Sequence, residues 1–440
     1  MKLFKALVLV ISAGVIPAFA QYAGPAILSR GEAPAAMSAP QIDFRPYLEV
    51  TGDYSTGLAG VTVNQQGDIP NNSSFGEELT GGISGVHSWK HTVLGVDYRG
   101  SYRHYNQQTY YDSSDQTLML SLTHQFTRHI SLSLQESAGM FAGASGLFGL
   151  PQTIQFDPSS NYVPTTDFYD NRTVYLSTGA NLIYQKSTRF SFSFGGQGSL
   201  VRRRSSALYG VTGASARGDV QYRWTRSTTV GAMYSFTHYD YTGVLSNAEI
   251  HTATLTFASR LSRWWEITGY GGFSRAESTF VRTVELDPAI QALLGVTSGS
   301  VVAHNILYTP AGSIRISRTF QRGVAYVSGD RGITPGNGLF LTSTTTNAGG
   351  GYTFTGLRRW SFGANATQYW SNSFGNIVGR YDTLSGGFTA TRQIVHDVHF
   401  VASFYASRYS SPDFSKYNRP VYTARIGLGF APGDVPLRIW

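Results

Sequence analysis

The sequence contains no cysteine. That excludes disulfide frameworks, thiolate metal sites and a lipidated N-terminal cysteine. Charge is scarce as well. Asp, Glu, Lys and Arg make up 14% of the 440 residues, against roughly 25% in an ordinary soluble protein. No segment beyond residue 20 comes near the ~18 continuous apolar residues of a membrane-spanning helix. Helical periodicity is nearly absent, and 287–294 is the only plausible short helix. What is abundant is glycine (49), tyrosine (27) and phenylalanine (26). That aromatic content argues against a long disordered chain.

Residues 1–20 have the pattern of a secretory signal peptide. Lys2 and Lys5 give the positive start, residues 6–16 are apolar, and Pro17 breaks the run. Ala18, Phe19 and Ala20 supply the small-x-small pattern, so cleavage is expected after Ala20. Residues 21–43, with Pro25, Pro34 and Pro40, form an Ala/Pro-rich flexible lead-in on the periplasmic side.

From Phe44 onward the period is two nearly everywhere, the strand signal. Phe190, Phe192 and Phe194 alternate with Ser191 and Ser193. Ala253, Leu255 and Phe257 alternate with threonines, and Phe400, Ala402 and Phe404 with His399, Ser403 and Tyr405. About 18 strands are expected (16–20 on the pattern alone), from 44–56 to 420–430. Pro310 falls inside the twelfth, which predicts a strand beginning at Ala311.

The connections alternate in length. Every second one is short, and all eight short ones carry a cation: Lys90, Arg128, Lys186, Arg226, Arg263, Arg318 with Arg322, Arg358 with Arg359, and Arg392. The longest connections, 57–74, 144–171 and 279–303, belong to the other set. Short turns at one end and long loops at the other are the pattern of a transmembrane barrel. The expected fold is therefore all-β: an antiparallel up-and-down transmembrane β-barrel over 44–440. Trp89, Trp224, Trp264, Trp265 and Trp360 lie at or beside short turns, where an interfacial girdle belongs. Tyr102, Tyr105, Tyr239, Tyr241 and Tyr409 are expected to form the opposite girdle. Strict alternation sends Glu136 to the lipid with Ile130, Leu132 and Leu134; a bulge returning it to the lumen is expected instead.

At the C-terminus Tyr422, Ala424, Ile426, Leu428 and Phe430 alternate around Gly427 and Gly429. With the strand pattern, this resembles bacterial outer-membrane β-barrel proteins of the porin-like kind. The chain departs from their usual ending by continuing past Pro432 and Pro436 to Trp440. That tail is similar to those of predicted outer-membrane barrels with no assigned function. The resemblance implies a Gram-negative cell-envelope protein among outer-membrane lipids and lipopolysaccharide. It also implies contact of the C-terminal strand with the barrel-assembly machinery, and a possible homo-oligomer.

Catalysis finds little support. There is no Gly-x-Ser-x-Gly elbow. His129 and Ser131 share a strand face loosely as in outer-membrane phospholipases, but His129 sits at a turn. The ten histidines are scattered, so no metal site or other cofactor is expected. The positive signal is the face projected inward. It carries Asp97, Arg99, Arg103, Arg217, Asp219, Arg223, Glu266 and Arg315 as candidate lumen charges, with Glu49, Asp53, Glu78, Arg331 and Arg425. An 18-stranded barrel is wide enough to hold water, and charges around a water-filled passage shape ion selectivity. The longest loop holds Asp157, Asp167 and Asp170 and is the candidate constriction; in porins whose third loop folds inward, such acids face wall arginines. Arg202, Arg203 and Arg204 are candidate contacts for surface anions, with no nucleic-acid role in that location.

The leading expectation is a porin-like channel for passive diffusion of small hydrophilic solutes or ions. The alternatives are a non-conducting barrel engaged in surface polysaccharide export or docking and, less favoured, a membrane-embedded hydrolase.

Overall fold

The computed structural model describes residues 45–56, 73–106, 112–141, 172–206, 208–285, 287, 291, 295, 297–336, 338, 340–354, 357, 359–374, 379–395, 397–412, 418 and 420–430. Residues 1–44, with the expected signal sequence and lead-in, and the 431–440 tail lie outside these residues.

Eighteen strands follow one another. They are β1 (Arg45–Ser55), β2 (Ser74–Ser88), β3 (Thr92–Tyr105), β4 (Ser113–Gln125), β5 (Ile130–Phe141) and β6 (Thr173–Gln185). Next come β7 (Phe190–Arg203), β8 (Gly210–Arg223), β9 (Thr228–Thr242), β10 (Ser246–Arg260), β11 (Trp265–Glu285) and β12 (Ser298–Phe320). The last are β13 (Gly323–Thr334), β14 (Ser343–Phe354), β15 (Trp360–Ser373), β16 (Arg380–Gln393), β17 (Val398–Ser410) and β18 (Pro420–Phe430). Each pairs antiparallel with its sequence neighbours, and β1 pairs β18 from Leu48↔Phe430 to Ser55↔Thr423. The sheet is closed and has no free side edge at that seam. The short connections gather at one rim and the long ones at the other.

Alternation sets the two faces. Outward positions carry exposed Leu48, Val50, Leu255, Phe273, Val327, Phe404 and Ile426. Inward positions carry Thr51, Asp53, Glu78, Ser193, Thr254 and Thr423, all buried. At the short-turn rim, guanidinium groups cover girdle rings. Arg263 lies 4.6 Å from the Trp264 centroid, Arg318 5.0 Å from Trp265, and Arg392 5.2 Å from Trp360. Such contacts tie turn cations to rings at the water boundary, each worth about 0.5–1 kcal/mol when exposed.

Several expectations are corrected by the register. β12 begins at Ser298, with Pro310 inside it and paired to Phe273. The last β12–β13 pair is Gly312↔Arg331, so among the described residues Pro310 lies where one edge of β12 has no partner strand, and there a residue without an N–H is tolerated. Arg331 is not lumenal. Arg315 pairs Ser328 and Ser313 pairs Asp330, which puts Asp330 on the inner face and Arg331 outside. The β4–β5 register runs unbroken from Gln116↔Met140 to Gln125↔Ser131, so no bulge rescues Glu136. It stays outward, and the Thr178 hydroxyl donates to its Oε1 at 2.9 Å. Nor do Tyr105, Tyr239, Tyr241 and Tyr409 form an outer girdle. They point inward and are buried, leaving Tyr102 exposed outside. In the expected helix at 287–294, the bonds Gln291 N to Asp287 O and Gly295 N to Gln291 O are those of a helical turn.

A lipid-facing carboxylate is unfavourable, less so than a cation at the same depth. Glu136→Leu is therefore expected to stabilise the barrel by about 1 kcal/mol. Urea unfolding in lipid vesicles checks this; a destabilised variant would show that the Thr178 hydrogen bond outweighs the lipid cost of the Glu136 carboxylate.

Candidate functional site: the lumen and its outer constriction

The inner wall divides into two zones. Toward the short-turn rim and mid-barrel, several inward side chains reach water. Gln135 is exposed, and Glu49, Asp97, Arg99, Arg217, Arg223, Glu266 and Arg315 are half-buried. Arg315 lies over the Tyr326 ring at 4.6 Å, and Arg223 Nη1 donates to Thr188 O at 3.5 Å. Asp219 is buried and accepts a hydrogen bond from the Ser193 hydroxyl at 2.8 Å.

Toward the long-loop rim, large inward side chains are covered. Tyr105, Tyr175, Tyr239, Tyr241, Tyr369, Tyr381 and Tyr409 are all under one-tenth exposed. Part of the cover is the connection between β13 and β14, which enters the barrel. Gly336 and Gly338 make this path possible. Both have positive φ, 75° and 91°. A Cβ on Gly336 would stand 1.9 Å from Phe340 O, and one on Gly338 2.5 Å from Arg203 Nε. Glycine alone fits such positions without strain.

The connection then presents two apolar side chains to the inner wall. Phe340, fully buried, stacks on Tyr381 at 5.3 Å and 15°, beside Tyr369 and Tyr409 of the flanking strands. Leu341, also fully buried, joins Val211, Tyr239, Tyr241, Ala248, Ile250, Ala276 and Ile333. One short segment thus bridges the inner faces of β8–β11 and β15–β17. Polar bonds fix it: Tyr209 N to Gly338 O at 3.0 Å, Phe374 N to Thr342 O at 3.1 Å, and Tyr241 Oη to Thr342 Oγ1 at 2.9 Å. Burying one Phe or Leu side chain contributes about 1.5–3 kcal/mol, so this is an anchored element.

A third feature joins the closing seam. Arg103 is 2% exposed and meets Glu78 at 3.1 Å, Asp53 at 3.5 Å and Asp115 at 3.5 Å. Arg425 bridges Asp53 at 3.4 Å and Glu78 at 3.0 Å. The cluster spans β18, β1, β2, β3 and β4, where the sheet closes.

Outside the barrel the picture inverts. A band of exposed Leu, Val, Ile and Phe surrounds a closed wall whose polar residues face in, with tryptophans along the short-turn rim. Exposed apolar area on this scale requires a hydrocarbon solvent, and closure leaves no wall edge unpaired at the seam. The chain is an outer-membrane β-barrel.

No family model matches the chain, and no curated protein matches it in sequence. Among solved structures it is similar to OccAB1 of Acinetobacter baumannii, at 10% identity over 91% of this chain and 100% of that one, TM-score 0.41. It is also similar to OccK5 (OpdH) of Pseudomonas aeruginosa, at 12% identity over 88% and 98%, TM-score 0.42. OccK2 (OpdF) of the same organism, solved in complex with glucuronate, matches at 8% identity over 90% and 99%, TM-score 0.41. The barrel and its closure follow from the strand register, independently of these likenesses.

The barrel places the sequence-predicted residues unequally. Asp97, Arg99, Arg217, Arg223, Glu266 and Arg315 lie on the inner face and are half-buried, while Asp219 is buried there. Arg103 is on the same face but packed among carboxylates. Asp157, Asp167 and Asp170 lie outside the described residues. The arginine run splits: Arg202 and Arg204 are exposed, whereas Arg203 points inward beside Gly338. His129 Nδ1 lies 2.8 Å from Gln185 O, at the rim. Loop length does not reveal the inward path of the β13–β14 connection. Its signal was present: Pro335, Gly336 and Gly338 for turning, then Phe340 and Leu341 in a segment otherwise facing water.

Proposed function

We propose that this barrel is a passive channel for small hydrophilic solutes and ions, narrowed near its long-loop rim by the β13–β14 connection. The observation that carries this reading is the inner wall itself. Charges of both signs line it in a zone that water reaches, inside a barrel wide enough to hold water. Such a wall replaces part of a solute's hydration and sorts ions by charge, with no covalent step.

A second reading, a non-conducting barrel for surface polysaccharide export or docking, is favoured by the burial of the outer tyrosines. Charge reversal separates the two. Arg99→Glu with Arg217→Glu changes two half-buried inner-wall cations and keeps Arg103 itself in place. In a salt gradient across a planar bilayer, the reversal potential is expected to move toward cation preference. An unchanged potential in a conducting variant would remove these arginines from the ion path. Absence of any current from folded protein would favour the second reading.

A further inference from the structure

The two rims of the barrel carry opposite charge. The eight short connections, from the one between β2 and β3 to the one between β16 and β17, hold nine Lys or Arg and one acid, Asp397. The connections at the long-loop rim hold four Lys or Arg and seven Asp. Plain solvation of turns does not sort the two signs by rim. Lys90, Arg128, Lys186, Arg226, Arg322 and Arg359 are all exposed. One acid cannot neutralise this set. Nor can the segments that flank the barrel in sequence, wherever they lie. Residues 21–44 and 431–440 bring three acidic side chains, Glu32, Asp43 and Asp434, against Arg30 and Arg438.

Three guanidinium groups show where the charge is held. Arg263 stands 4.6 Å from the Trp264 centroid. Arg318 stands 5.0 Å from Trp265 and 4.6 Å from Phe320. Arg392 stands 5.2 Å from Trp360. Arg318 pairs Trp265 and Arg392 pairs Trp360, so each shares the outward face of its ring. Trp360 stacks on Phe362 at 5.4 Å, and Phe362 on Phe388 at 6.1 Å. Arg392 therefore crowns a column of rings that rises from the lipid-facing wall. A guanidinium anchored there keeps N–H donors at the water boundary, in the fork that matches a phosphate.

We propose that the short-turn rim is a binding ring for anionic phospholipids of the leaflet in which it sits, held through their phosphate monoanions. Charge selects an anion, and geometry selects a lipid. Strands ~4.8 Å apart and tilted ~35–45° set successive short turns roughly 12 Å apart along the rim. The cations recur at that spacing from the β2–β3 turn to the β16–β17 turn, round most of the circumference. A globular partner would meet one arc of this ring, and a free anion one turn of it. The surrounding lipid meets all of it. Arg318 and Arg392 face that lipid and not the mouth of the lumen. Each basic side chain near an anionic lipid surface adds its own attraction, which falls off within a Debye length. This inference does not depend on conduction.

The test uses the full mature barrel in phosphatidylcholine vesicles that contain one brominated lipid. Bromine quenches nearby tryptophan. Of the seven tryptophans, Trp89, Trp224, Trp264, Trp265 and Trp360 lie at or beside short turns, so the signal comes mainly from this rim. Brominated phosphatidylglycerol is expected to quench at a severalfold lower mole fraction than brominated phosphatidylcholine. The preference should shrink as salt is raised. It should at least halve in Arg263→Gln with Arg318→Gln and Arg392→Gln, and persist when the same three become lysine. Arg331→Gln with Arg408→Gln, exposed cations nearer the long-loop rim, should leave it in place. Each variant is compared across the two lipids, so a change in tryptophan yield cancels. Equal quenching by both lipids, or a preference untouched by the three glutamine changes in a folded barrel, would overturn the inference. Loss of the preference when inorganic phosphate replaces chloride at equal ionic strength would assign the ring to free anions and overturn it too.

Discussion

Replacing Phe340 and Leu341 together by serine will raise the single-channel conductance severalfold while the barrel stays folded. Both side chains are fully buried against the inner wall, Phe340 on Tyr381 and Leu341 among residues of β8–β11. Without them the connection loses its apolar anchors, at a cost of about 2–5 kcal/mol for each large-to-small change. That cost falls on the connection rather than on the strand ladders. Tyr209 N–Gly338 O and Tyr241 Oη–Thr342 Oγ1 remain as tethers, so the widened state should fluctuate between levels. Gly338→Val acts by another route, since its Cβ would collide with Arg203 Nε and the positive φ disfavours a β-branched residue. It should widen the passage in the same direction. Conductance unchanged in both variants would mean that the connection does not limit flow.

Arg103→Met will destabilise the barrel strongly, by about 3–5 kcal/mol, the cost of removing one partner from a buried ion-pair cluster. Asp53, Glu78 and Asp115 would remain, with Arg425 as the cation bridging the first two. The cluster lies at the β1–β18 closure, so the effect should appear as a lower temperature for loss of the compact, heat-modifiable form on gels. Arg217→Met, half-buried on the inner face of β8 and away from this cluster, should cost well under that, about 1 kcal/mol or less. A comparable loss in both variants would contradict the division between a structural arginine and one facing water.

The architecture was legible because alternation and turn spacing both follow from backbone geometry. A strand period of two assigned the faces, and the cation-bearing short turns assigned the rims. Glu136 shows where that reading was over-refined. Alternation alone placed it correctly, and the added bulge was an inference from lipid cost, which the Thr178 hydroxyl partly relieves. Arg331 shows the opposite limit. Its face depends on where β12 and β13 register, a non-local fact that local alternation misassigned. The tyrosines were misplaced because position along a strand does not reveal direction across it: Tyr102 faces out and Tyr105 in, three residues apart. The inward path of the β13–β14 connection was hidden for another reason: it is encoded by two glycines and two apolar residues rather than by loop length, while the 144–171 loop lies outside the described residues.

The most direct test of a water-filled lumen is single-channel recording of the refolded mature protein in a planar bilayer, after gel mobility has verified that the barrel has formed. A channel of this construction gives reproducible conductance steps, with a reversal potential in a salt gradient that responds to Arg99→Glu with Arg217→Glu. A folded barrel that passes no current, both as wild type and with Phe340 and Leu341 replaced by serine, would contradict it.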